Sequence, residues 1–177
     1  MLTVREATLA ERDVLQDLIA RSARGLSTAD YRAEQIEGAL QGTFGVDSQL
    51  IRDGTYFVVE EDGVIVGCGG WSFRKTLFGG DQRPERDVAE LDPRTDPAKI
   101  RAFFVDPAHA RRGIGTMLLD KCEAEARLRG FSRVELMSTL PGIRLYSARG
   151  YTGVEQVRYE VSPGVVIEFL PMSKRLF

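Results

Sequence analysis

The 177-residue sequence predicts one α/β domain, and three observations carry that expectation. The length suits a single domain that buries roughly 70% of its unfolded surface around one core. Short β-rich runs recur along the chain, two of them joined by the tight turn Glu61-Asp62-Gly63. Between the hairpin and the C-terminal runs lies a strand, then a turn with two glycines, then a helix, the order expected where a helix packs back onto a sheet.

Taken in order, residues 3–7 read as a short strand. Thr8 then offers an N-cap with Glu11 three residues on, opening a helix with Leu9, Val14, Leu15, Leu18 and Ile19 on its apolar face and Gly25 at its close. Residues 27–40 and 46–51 are helical but more loosely patterned, placed to shape a cleft. Asp53-Gly54 marks a turn, and residues 55–60 and 64–71 form the hairpin. Residues 72–97 carry Gly79-Gly80, three prolines and mixed charge, which is loop composition rather than an interdomain linker. Residues 100–105 are an apolar strand interrupted by Arg101, and residues 113–129 a helix with Ile114, Leu118, Cys122 and Ala126 along one face. A strand over 133–137, a short helix over 141–149 with Pro141 near its start, and strands over 151–160 and 165–170 complete one domain spanning residues 1–177.

Composition narrows the function. With 43% hydrophobic and 28% charged residues and a net charge of −2, the chain reads as ordinary globular protein, neither disordered nor disulfide-built. A pI near 5.6 and no basic run longer than a pair such as Arg111-Arg112 argue against a nucleic-acid partner. Cys68 and Cys122 lie far apart in apolar surroundings, so no metal site is expected and both read as core thiols. The charged N-terminus and the lack of any span of about 18 apolar residues predict no membrane association and a cytoplasmic location.

The turn before the long helix has the chemistry of an anion site. Gly113 and Gly115 let the backbone approach a ligand, and the first amides of the helix have no intrahelical acceptors, so a pyrophosphate is the natural occupant. A P-loop is excluded because no Lys-Ser/Thr pair follows the second glycine. A dinucleotide fingerprint matches the two glycines, with Glu135 twenty residues past Gly115, yet Leu118 stands where the third glycine belongs. A plain strand-to-helix turn with two hydrated arginines is the third reading.

On these residues the stretch 100–151 resembles the GNAT (GCN5-related N-acetyltransferase) superfamily. Gly113 and Gly115 occupy the two small positions of its Q/R-x-x-G-x-G/A motif, with Ala110 in place of the leading Gln or Arg. Residues 139–151 are similar to the family's N-x-x-A-x-x-F/L-Y-x-x-x-G-F/Y, with Thr139 and Gly142 replacing Asn and Ala. The order of elements, continuing to Met172 and Leu176, extends the resemblance over nearly the whole chain.

The resemblance implies a mixed, mostly antiparallel sheet of about seven strands flanked by helices, splayed where coenzyme A enters. It implies acetyl-CoA as acyl donor and N-acetylation of a small-molecule or protein amine; the alternative is a non-catalytic CoA-binding sensor or interaction domain. It places the pantetheine arm on the backbone of Phe103 and Val105 and the pyrophosphate on the amides of Arg111, Arg112, Gly113, Ile114, Gly115 and Thr116. Tyr146 aligns with the tyrosine that protonates the departing thiolate, and Tyr151 reads as core. Where members with a clear base carry Glu, this chain has Lys99, with Arg101 on the same face of the strand. Members are often dimers, which leaves a homodimer open.

Three residues are candidates for the acceptor side. Arg101, charged within an apolar strand, either pairs with an internal carboxylate or receives an anionic group of the substrate. Glu90 either serves as a base through water or is a solvated loop carboxylate, and Trp71 either walls a cleft or packs in the core. The acidic residues between Asp81 and Asp96 either attract a cationic amine or are simply solvated, and the single histidine, His109, is solvent-facing or cofactor-adjacent.

Overall fold

Asp62 and Gly63 both take positive φ, 51° and 78°, so their turn twists in the same sense as the strands it joins and sets β2 (Tyr56–Glu61) against β3 (Val64–Ser72). The computed structural model, which describes residues 1–83 and 85–177, builds a seven-stranded sheet around this hairpin. β1 (Leu2–Glu6) pairs with β2 at one edge, and β4 (Ala98–Val105) pairs antiparallel with β3. β5 (Arg133–Thr139) follows, then β7 (Val165–Arg175) and β6 (Val157–Ser162), giving the spatial order β1-β2-β3-β4-β5-β7-β6.

All neighbours are antiparallel except β4 and β5, which run parallel and pair only at Ala98↔Val134 and Lys99↔Glu135. Beyond that point the two strands separate. A bulge lies in the middle of β4, where the register with β3 shifts between Cys68 and Gly70 and Ala102 takes φ 54°. The Tyr56 hydroxyl donates to the Ala102 carbonyl at 2.7 Å, holding the bulge in place.

Both faces of the sheet are covered. α4 (Ile114–Leu128) buries Ile114, Leu118, Cys122 and Ala126 against one face, as their four-residue spacing dictates. α1 (Arg12–Leu26) and α2 (Ala33–Ala39) cover the other, with Leu15, Leu18, Ile19 and Ile36 in the core. No helix among the described residues is long and apolar enough to cross a membrane.

Several boundaries differ from the sequence expectation. Gly25 stands at the close of α1, one residue before Leu26; a Cβ there would stand 2.5 Å from Pro107 Cγ, and its absence lets the helix end pack onto the turn after β4. The capping interaction forms, with the Glu11 carboxylate accepting from the Thr8 amide at 3.2 Å, but it caps a 3-10 turn over Leu9–Glu11 that precedes α1. The helices expected over 27–40 and 46–51 shrink to α2 and α3 (Ser48–Arg52). β6 begins only at Val157, after Gly153 has packed tightly under the Pro171 carbonyl, and β7 runs on to Arg175.

Candidate active site

The divergence of β4 and β5 opens a cleft through the sheet, and α5 (Ile143–Ala148) closes its end. Two cavities meet there. The larger, about 650 Å³, follows the turn between β4 and α4 and is lined by Val105, Arg111, Gly113, Thr116, Arg144 and Leu145 among others. The smaller, about 70 Å³, lies toward α2 and β7, lined by Phe44, Leu77, Phe78, Met137 and Phe169 among others. Phe44, Phe103, Phe104, Thr139 and Tyr146 wall both, so the cavities are two arms of one cleft meeting at the bulged strand.

The large cavity is a backbone site. Gly113 takes φ 82° as N-cap of α4, a conformation that favours glycine, and Arg111 takes φ 64°. Among the described residues, no protein acceptor takes the amides of Arg111, Arg112, Gly113, Ile114, Gly115 or Thr116; the first amide committed within the helix is Met117, to the Gly113 carbonyl at 3.0 Å. These unpaired donors at the positive end of a 15-residue helix fit a pyrophosphate. Gly115 keeps the wall thin, since a Cβ there would meet Leu145 Cδ2 at 2.8 Å.

The two arginines of the turn are used differently. Arg112 forms a bidentate pair with Glu61 at 2.8 and 2.7 Å, and this guanidinium pulls the Glu61 carboxyl down to about 2. Its side chain therefore braces the turn against the hairpin, leaving Arg111 exposed along the cavity wall. His109 Nε2 lies 3.4 Å from the same Glu61, beside the turn.

On β4 the Val105 amide donates to Ser22 Oγ at 3.1 Å, so one of the two backbone positions expected to receive an extended ligand arm already has a side-chain partner. Ser22 was not among the sequence candidates. Its signal was present: it falls three residues after Ile19 and four after Leu18, a polar residue on the buried face of α1. Arg144, on the outer wall of the large cavity, was also missed.

Tyr146 projects from α5 to the junction of the cavities, its ring 6.2 Å from Phe103 and 5.7 Å from Tyr151. Burial pushes its phenol well above the usual tyrosine range. No hydrogen bond among the described residues engages its hydroxyl, whereas that of Tyr151 donates to buried Glu123 at 2.9 Å, an internal anchor shared with Lys174.

Of the two alternatives open for each acceptor-side candidate, the surroundings match the structural one. Trp71 is 2% exposed and packs edge-on against Phe73 and Phe131 under α4, with its indole N–H on Glu125, away from the cleft. Arg101 is equally buried and takes an internal carboxylate: it donates to Asp47 Oδ2 at 3.0 Å and the Gly79 carbonyl at 2.8 Å. Glu90 is exposed beside Arg74 and lines neither cavity. Asp81, from the acidic loop, accepts from Ser48 and pairs with Arg12 rather than facing the cleft. Lys99 pairs with Glu135 of β5 at the closed end of the fork.

Comparison with known proteins agrees with this geometry. The sequence profile of the acetyltransferase (GNAT) family matches residues 18–151. The chain belongs to the GNAT acetyltransferase family. No curated protein matches the sequence. Among solved structures, a GCN5-related N-acetyltransferase from Rhodopseudomonas palustris superposes with a TM-score of 0.72 at 19% identity, over 98% of this chain and 94% of that one. YncA of Salmonella typhimurium, a putative acetyltransferase solved with its cofactor acetyl-CoA, gives a TM-score of 0.65 at 21% identity over 100% and 95%. The PaiA N-acetyltransferase of Thermoplasma acidophilum, in complex with coenzyme A, gives 0.67 at 12% identity over 99% of both chains. At these identities the likeness is one of fold.

Proposed function

We propose that this GNAT protein transfers the acetyl group of acetyl-CoA to an amine. The observation that carries the reading is the meeting of two cavities at the bulge of β4, one rimmed by unpaired helix-terminal amides, the other small and, among the described residues, lined by no charged side chain. The amides of Arg111, Arg112, Gly113, Ile114, Gly115 and Thr116 would hold the pyrophosphate, with Arg111 and Arg144 as outer charge. The pantetheine arm would lie along Phe103 and Val105, displacing or sharing Ser22 at the Val105 amide. Acetyl-CoA supplies an activated acyl group on a thiol of pKa about 8.5.

The acceptor nitrogen attacks the thioester carbonyl, the new C–N bond forms as the C–S bond breaks, and the sulfur takes a proton from the Tyr146 hydroxyl. The proton leaving the nitrogen passes by way of water to the Tyr146 phenolate and restores the phenol. Among the described residues no Asp or Glu lines either cavity, so the acceptor must lose its ammonium proton by another route. The confinement of the small cavity, which has no charged side chain among its described lining residues, supplies one, because partial desolvation disfavours the charged form of an entering amine.

Release of CoA thiol from acetyl-CoA across a panel of amines tests the reading, with Tyr146→Phe run beside the wild type. Turnover that the variant slows supports catalysis. Tight acetyl-CoA binding without turnover of any amine would favour a CoA-binding sensor, and failure to bind acetyl-CoA would remove both.

A further inference from the structure

The sheet ends in a strand whose outer edge is open. β6 pairs with β7 on one side only, and the hydrogen bonds of β7 fix which groups of β6 face outward. The Tyr31 hydroxyl is inserted beside β7 on the β5 side, accepting from the Leu140 amide at 2.9 Å and donating to the Glu168 carbonyl at 2.6 Å, and Gln35 donates to the Val166 carbonyl at 2.8 Å. Val166 and Glu168 therefore turn their backbone groups away from β6, while Ile167 and Phe169 turn theirs toward it, onto Tyr159 and Val157. By the same alternation the backbone N–H and C=O groups of Arg158 and Glu160 point to the open edge. Among the described residues no hydrogen bond from outside the β6–β7 pair reaches them.

The side chains at these two positions carry opposite charge on one face. Arg158 and Glu160 are both exposed; Arg158 reaches its cross-strand neighbour Glu168 only at 3.9 Å, and Glu160, opposite Val166, has no cationic partner among the described residues. Charge on an edge strand ordinarily keeps the strands of different molecules apart. Here its order makes one pairing attractive. Two copies related by a two-fold axis normal to the sheet keep each face in common, so the axis passes through a residue. An axis at Arg158 or at Glu160 sets like charges opposite each other, whereas an axis at Tyr159 sets Arg158 of each copy opposite Glu160 of the other. That register also makes Arg158 and Glu160 the hydrogen-bonded pairs, using the backbone groups that face outward. β1, at the other edge, offers no equivalent, because its one cation, Arg5, is held by Glu60 and Glu11 within the chain.

We infer that β6 is the interface of a homodimer, in which two copies join edge to edge about Tyr159 into one continuous sheet held by reciprocal Arg158–Glu160 pairs. The bulge between Glu160 and Ser162 bends the strand beyond the paired residues, so the contact is short, and each copy spends its one open β6 edge on the other, so the assembly closes as a dimer. The same strand backs the acceptor arm: the Tyr159 ring stands edge-on to Phe78 at 5.1 Å, on the face opposite the charged pair. The inference does not depend on the acetyl-transfer reading, and its test reads mass rather than activity.

Sedimentation velocity of the full chain, over protein concentrations from about 1 μM to about 1 mM, is the test. The mass should rise from the 19.7 kDa of one chain toward twice that value. Arg158→Glu and Glu160→Arg each turn both attractive pairs into like-charge pairs, and each should raise the dimer dissociation constant roughly ten- to a thousandfold. An equimolar mixture of these two single variants should dimerise again, because every pair across the interface then joins opposite charges, and the double variant carrying both substitutions should do so by itself. A monomer at every concentration overturns the inference. A dimer indifferent to both single variants also overturns it, placing the contact on another surface, as does a mixture of the variants that stays monomeric.

Discussion

The two arms of the cleft are built from different materials. The large arm is made of backbone: a left-handed glycine, unpaired amides and the edge of a separated strand, with side chains such as Arg112 serving only to brace it. The small arm is made of side chains gathered from distant parts of the chain, with Arg101, Asp47, Arg86, Asp81 and Arg12 linking β4 to α1 and to both roof loops. A backbone site recognises a group that does not vary, such as a pyrophosphate. A site of side chains on loops can be retuned residue by residue, which suits an acceptor pocket.

If the small arm depends on buried charge, the largest effect of any single change should come from Asp47→Ala. It leaves the Arg101 guanidinium buried without its carboxylate and should destabilise the fold by about 3–5 kcal/mol, read from urea unfolding. Replacing the pair together, with Asp47→Leu and Arg101→Met, should be milder than Asp47→Ala alone. A loss under about 1 kcal/mol for Asp47→Ala would mean that the network is peripheral.

Tyr146→Phe sits at the junction and should affect both arms' common chemistry. It should lower kcat by about tenfold to a hundredfold, with unfolding free energy nearly unchanged because the hydroxyl holds no partner among the described residues. Burial raises this phenol, so its proton-donating form persists at every pH below that raised value. The rate should therefore keep rising with amine deprotonation through about pH 10, rather than fall as an ordinary tyrosine ionises.

Gly113→Ala probes the backbone arm alone. A Cβ there meets no atom within 4 Å, so the penalty is conformational, about 1–2 kcal/mol, and weaker acetyl-CoA binding should accompany it while the acceptor-side network stays intact. The smallest effect belongs to Ser22→Ala. It removes the protein's own partner for the Val105 amide and should change acetyl-CoA affinity by less than about tenfold, detectable by calorimetry.

The same division explains what was legible in the sequence. The turn is local, so Gly113, Gly115 and the helix they introduce could be read from spacing, and the hairpin from Asp62-Gly63. The partner of Arg101 could not: Asp47 is 54 residues away, and only the folded loop brings it within 3.0 Å. Trp71 carries the same lesson, because glycines beside it are compatible with a cleft or with close packing, and tertiary contacts chose packing against Phe73 and Phe131. Gly25 reads as a helix stop and does stand at the end of α1, while its close approach to Pro107, distant in sequence, shows only in the fold.

The measurement that tests the central claim most directly is a titration of the isotope-labelled protein with acetyl-CoA, followed through its backbone amide resonances. The amides of residues 111–116 should shift first and furthest, with Val105 following as Ser22 is displaced, while Arg101 and Asp47 stay nearly still. Shifts confined to other surfaces, or none at saturating acetyl-CoA, would contradict the assignment of the large arm to the cofactor.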